Sequence, residues 1–133
     1  MAEWNLDGDA ARRADDIHWK SVVIDMCLST SLTKATPLIE GGDALDRALK
    51  AGVSGAHQTL VGSANRSFRE AIREVNNSYR LLASKPDKVL IAKKSADIMK
   101  AKAEGKLALI LGFQGADPLE DDWINTLPVF KRL

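Results

Sequence analysis

Residues 95–119 read SADIMKAKAEGKLALILGFQGADPL. A helix-forming stretch stops at Gly105, and an apolar run then leads to a glutamine flanked by Gly112 and Gly115. So short and continuous an apolar run predicts a strand buried on both faces, as in a parallel sheet. Two earlier stretches repeat the pattern. SVVIDMC (21–27) is rich in β-branched residues, and VSGAHQTLV (53–61) reads as a second strand weakened by Gly55.

The segments between them have helical spacing. In GGDALDRALKAG (41–52), Ala44, Leu45, Ala48 and Leu49 share one face and Gly52 supplies the stop. In SFREAIREVNNSYRLLAS (67–84), Phe68, Ile72, Val75, Tyr79 and Leu82 recur at steps of 4, 3, 4 and 3, and Ser67 with Glu70 predicts a capping box. VLIA (89–92) is a brief extended piece, and Ser95 is the expected cap of the helix that follows. The last stretch, 116–133, opens with a turn and continues as helix. A break is expected near Pro128, with an apolar face through Leu127, Phe130 and Leu133.

The fold expected is therefore α/β: a helical lead-in over 1–20, then three parallel strand–helix units over 21–133. Buried strands alternating with amphipathic helices argue for a parallel sheet with right-handed crossovers. In such sheets ligands sit at the C-terminal ends of the strands. Here those ends are Asp25 to Ser29, His57 to Val61 and Phe113 to Asp117.

Composition narrows the function. Nineteen basic side chains balance 18 acidic ones, for a net charge of +1, which gives no field to steer nucleic acid or an anionic membrane. The lysines between Lys85 and Lys106 are interrupted by acids and apolar residues and read as solvated helix faces. One cysteine excludes an internal disulfide, and no apolar run is long enough to span a bilayer. With no apolar leader in the first residues, the default expectation is a cytoplasmic protein.

At the first strand end Asp25, Cys27 and Ser29 alternate, so an uninterrupted strand would point them the same way. Cys27 is read as a small buried apolar residue. A nucleophilic Cys27 with His57 as its base is the alternative. His57 itself is open to three roles: ligand, base or satisfied core histidine. Gln114 can hydrogen-bond a ligand but is a poor donor to zinc, and Asp117 is expected to start a turn before Pro118.

Taken together, VVIDMCLS, LKAGVSGAHQTLV, the long run from REAIREVNNSYR to FQGADPLEDD, and LPVFKRL resemble, in order, the N-terminal part of the renal (membrane) dipeptidase family. The resemblance runs from about Ser21 to Leu133 and is most specific over 95–119. It implies part of a TIM-type (β/α)8 barrel. It also implies a parent activity of metal-dependent dipeptide hydrolysis, with two zinc ions sharing a water or hydroxide. The family's first-strand His-x-Asp metal pair falls on Cys27 and Ser29, and its bridging glutamate falls on Gln114. The family's later ligands and its catalytic acid lie beyond Leu133.

These departures have a physical consequence. A bridging carboxylate offsets repulsion between cations about 3.5–4 Å apart, and a neutral amide does not. The chain is therefore expected to bind no cofactor of its own, zinc being the family's. Catalytic residues are left unassigned. Cys27, Ser29 and Gln114 are expected to mark the mouth of the site, and Asp25, His57 and Gln58 the substrate pocket. The ligand expected of the parent protein is a dipeptide or related small amide.

A (β/α)8 barrel takes about 250 residues. The chain is accordingly expected to be a truncated N-terminal piece, inactive alone and prone to self-association through exposed sheet edges. The alternatives are a non-catalytic small-molecule-binding or interaction domain that keeps the pocket, and a complete small three-stranded α/β module.

Overall fold

The computed structural model describes residues 7–28, 44–61 and 67–133, without the side chains of residues 27 and 28. Strands β1 (Ile24–Leu28), β2 (Gly55–Thr59), β3 (Val89–Ile91) and β4 (Leu107–Gly112) form one parallel sheet in the order β1-β2-β4-β3. The helices are α1 (Gly8–Lys20), α2 (Ala44–Lys50), α3 (Phe68–Ser84), α4 (Ser95–Ala103) and α5 (Trp123–Arg132), with a 3-10 turn at Asp117–Leu119.

The sheet has a fourth strand beyond the three expected. Val89–Ile91, read from sequence as a brief extended piece, pairs with the first half of β4, matching Val89, Leu90 and Ile91 to Leu107, Ala108 and Leu109. Three residues are too few to show a period, so only the tertiary pairing reveals β3.

That strand changes which face each helix covers. From β1 to β2 to β3 the chain advances across the sheet, and from β3 to β4 it steps back. A right-handed crossover that reverses direction places its helix on the opposite face. Leu45 and Ala48 of α2 and Leu81 of α3 pack with Ala56, Val89, Leu107 and Leu109 on one face. On the other face, a Cβ built on Gly55 would meet the Ile98 side chain of α4 at 3.4 Å. So α2 and α3 cover one side of the sheet, and α4 covers the start of β2 on the other.

Leu107 and Leu109 are fully buried, each stabilising the fold by roughly 1.5–3 kcal/mol. β1 differs from the expected doubly buried strand: Ile24 is 41% exposed and Met26 64% exposed. It lies at the sheet edge.

Local sequence explains the element ends. At α2, Gly52 takes φ +75°, its N–H donates to the Leu49 carbonyl, and the Val53 N–H donates to the Ala48 carbonyl. At α4, Gly105 takes φ +67°, its N–H donates to the Lys102 carbonyl, and the Lys106 N–H donates to the Ala101 carbonyl. Both are Schellman stops, which satisfy the last carbonyls and turn the chain straight into a strand. The capping box at Ser67 and Glu70 is present as expected. Ser95 is not the cap of α4 but its first residue. The Asp97 carboxylate reaches back to accept from the Lys93 and Lys94 amides at 2.9 and 3.0 Å. Those bonds, the Lys93 amide above all, hold the Asp97 carboxyl below its usual range.

Pro128 lies inside α5 without breaking it. The C-terminal end of α5 is held by two bonds to carbonyls, Tyr79 Oη donating to Leu133 at 3.1 Å and Lys93 Nζ to Arg132 at 3.3 Å.

Candidate functional site at the strand ends

Strand register defines a rim. Leu28 on β1 lies level with Gln58 on β2, and Gln58 level with Leu111 on β4. Gln114 follows two residues after β4, and its N–H donates to the Val61 carbonyl at 3.4 Å. The backbone of Cys27, one residue before Leu28, is therefore at the same end of the sheet as Gln114, with β2 between them. The side chain of Gln114 is exposed. Ser29 lies outside the described residues.

The three expected pocket residues do not share a face. His57 and Gln58 are neighbours on β2, so their side chains point to opposite sides. Gln58 is 4% exposed on the side covered by α2 and α3, where its Nε2 donates to the Thr59 carbonyl at 3.4 Å. Asp25 pairs with Ala56 and so belongs to the Gln58 side. His57 alone of the three faces the other way, towards the half of the sheet that α4 leaves uncovered.

The register of β1 adds a further difference. The ladder advances three residues on β1, from Asp25 to Leu28, against two on β2, from Ala56 to Gln58. An extra residue of this kind breaks the period of two. The strict alternation expected of Asp25, Cys27 and Ser29 is interrupted there.

Gly112 sets the position of His57. It lies opposite Thr59, on the His57 side of the sheet. A Cβ at Gly112 would overlap His57 Nε2 and come within 3.0 Å of Cδ2 and 3.2 Å of Cε1. The imidazole therefore leans along the strand onto the bare backbone of Gly112, towards the rim. A glycine inside a strand often marks such a close approach.

Gln114 carries a neutral amide at the end of β4, and the His57 imidazole is seated on Gly112. Among the described residues, no three His, Cys, Asp or Glu side chains come together as a metal-holding group.

A second feature lies at the same end, on the helix-covered side. A largely apolar pocket of about 400 Å³ is lined by Leu60, Val75, Leu111, Phe113, Leu119 and Phe130, among others. Phe130 anchors it, with its ring centroid 4.6 Å from Phe113 and 5.3 Å from Phe68. The apolar face through Leu127, Phe130 and Leu133 was its sequence signal, though not read as a pocket.

A four-stranded parallel sheet with helices packed along it is an α/β architecture that matches part of a TIM-barrel amidohydrolase. The chain belongs to the membrane dipeptidase family, peptidase family M19, whose family model matches residues 11–133. That family comprises zinc metallopeptidases acting on dipeptides. The crystal structure of an amidohydrolase from Pseudomonas aeruginosa is similar at 28% identity and a TM-score of 0.71, over 89% of this chain and 33% of that one. The probable dipeptidase PvdM from Pseudomonas aeruginosa shares the fold at 22% identity and a TM-score of 0.71, over 94% of this chain and 36% of that one. The chain thus spans about a third of the length of these solved structures. No curated protein matches it in sequence.

Proposed function

We propose that this chain supplies the N-terminal strand–helix units of a dipeptidase-type barrel and does not hydrolyse dipeptides by itself. The observation that carries the proposal is Gln114, an exposed neutral amide at the end of β4. The resemblance puts the bridging carboxylate of the zinc pair at this position. Cys27, Ser29 and Gln114 then occupy the family's ligand positions without forming its metal centre, and His57 faces the ligand side. In the helical lead-in, α1 (Gly8–Lys20) serves as a brace. His18 Nε2 lies 2.8 Å from the Ala51 carbonyl, and Lys102 Nζ donates to the Trp19 carbonyl at 3.0 Å.

Two further parts belong to the same proposal. The edge strands β1 and β3, with Ile24 and Met26 uncovered, favour self-association. No described helix is long and apolar enough to cross a membrane. The lone cysteine is in keeping with a reducing, cytoplasmic setting.

A second function, non-catalytic binding of a small molecule, is favoured by the pocket of about 400 Å³ at the same end. Incubation of the purified chain with a panel of dipeptides, with and without added zinc, tests the first reading. No release of free amino acids above the buffer rate is expected. Zinc-dependent turnover abolished by chelation would contradict it.

A further inference from the structure

Glu120 is the only non-glycine with positive φ among the described residues, at φ 54° and ψ −164°. This combination is nearly confined to glycine, and other residues hold it only where their surroundings fix them. Glu120 is held at both ends: its N–H donates to the Asp117 carbonyl, and its side chain reaches a distant element. Its Oε1 accepts from the Phe68 backbone N–H at 2.9 Å, across 52 residues of sequence. Phe68 opens α3, and its amide is one of the first-turn donors without an intrahelical acceptor.

The loop that Glu120 closes is the one carrying Gln114. It leaves β4 at Gly112, makes the 3-10 turn at Asp117–Leu119 and enters α5. Its other hydrogen bonds are short-range or weaker, and the buried Pro118 packs its 3-10 turn against α3. The Gln114 amide reaches Val61 at 3.4 Å, and Thr126 Oγ1 donates to the Leu119 carbonyl at 2.8 Å. The Ser67–Glu70 box already serves α3 locally, so Glu120 adds a tether between two rim loops, not a second local cap.

We infer that Glu120 is a positioning residue: its carboxylate fastens the Gln114 loop to the start of α3 and so sets where Gln114 stands on the rim. The functional consequence rests on the rim being the ligand-facing end, as proposed above, but the tether itself is read directly.

The test is amide hydrogen exchange on the whole chain and on Glu120→Ala, Glu120→Gln and Glu120→Gly. Glu120→Ala is expected to speed exchange at Phe68 and across 113–119 by about tenfold, the loss typical of a removed cap, while β2 and β4 stay protected. Glu120→Gln keeps an acceptor oxygen and is expected to restore protection. Glu120→Gly relaxes the backbone but lacks the acceptor, so its loop is expected to exchange as fast as in the alanine variant. Parental protection in the alanine or glycine variant would overturn the inference. So would a uniform loss of protection over the whole sheet, or failure of glutamine to rescue. Dipeptide turnover by the parent chain would defeat the proposed inactivity and leave this exchange pattern untouched.

Discussion

Placing a methyl group on Gly112 tests the geometry of the rim most sharply. Gly112 has no positive φ, so alanine meets no backbone penalty there. By itself the change would stabilise the chain by about 0.4–1 kcal/mol, through lower entropy of the unfolded state. Against this stands His57, whose ring occupies the space, with Cδ2 3.0 Å and Cε1 3.2 Å from the new carbon. If the imidazole swings off its rotamer, the displacement costs about 0.5–1.5 kcal/mol. If its neighbours hold it, overpacking costs about 1–3 kcal/mol. Gly112→Ala should therefore range from near neutral to about 2.6 kcal/mol destabilising. In a His57→Ala background the obstacle is gone, and the same change should become neutral or stabilising. Urea denaturation of the four proteins forms a double-mutant cycle with an expected coupling of about 0.5–3 kcal/mol. Equal effects of Gly112→Ala in both backgrounds would refute the placement of His57 over Gly112.

Gly52→Ala should destabilise the chain by about 1–2 kcal/mol, because φ +75° suits glycine and a Cβ would come within 2.7 Å of His18 Nε2. Thermal unfolding measures this, and a Tm equal to that of the parent would count against the Schellman stop. Asp97 and Glu104 both titrate below their ordinary values of 3.8 and 4.5, Asp97 chiefly through the Lys93 amide and Glu104 chiefly through its bond to Lys106. Their contribution to stability is full above those ordinary values and is lost as pH falls through the lowered folded-state values. Asp97→Asn should flatten the acid side of the stability–pH curve, and an unchanged curve would show that the carboxylate does not cap α4.

Much of the fold was legible because it depends on local chemistry. The capping box at Ser67 and Glu70, the stop at Gly52 and the buried run Leu107–Leu109 are written in adjacent residues. β3 was harder, since Val89–Ile91 acquires its meaning only from Leu107–Leu109 across the sheet. The reversal it introduces, which sends α4 to the other face, was hidden with it. At the site, the common end of Cys27 and Gln114 followed from parallel strands. The opposite facing of His57 and Gln58 also follows from strand alternation, although the two were grouped as one pocket. The irregular step in β1, the seat of His57 on Gly112 and the reach of Glu120 to Phe68 are contacts between distant segments. No local pattern encodes them.

The central claim is that the family's metal-ligand positions in this chain no longer build a zinc centre. Equilibrium dialysis against zinc, followed by elemental analysis, tests it directly when the parent chain is run beside a Cys27→His, Ser29→Asp, Gln114→Glu variant. The expected result is no stoichiometric zinc on the parent chain and a gain in the triple variant, where two carboxylates and an imidazole return. Two zinc ions per parent chain, lost on Gln114→Ala, would contradict the account.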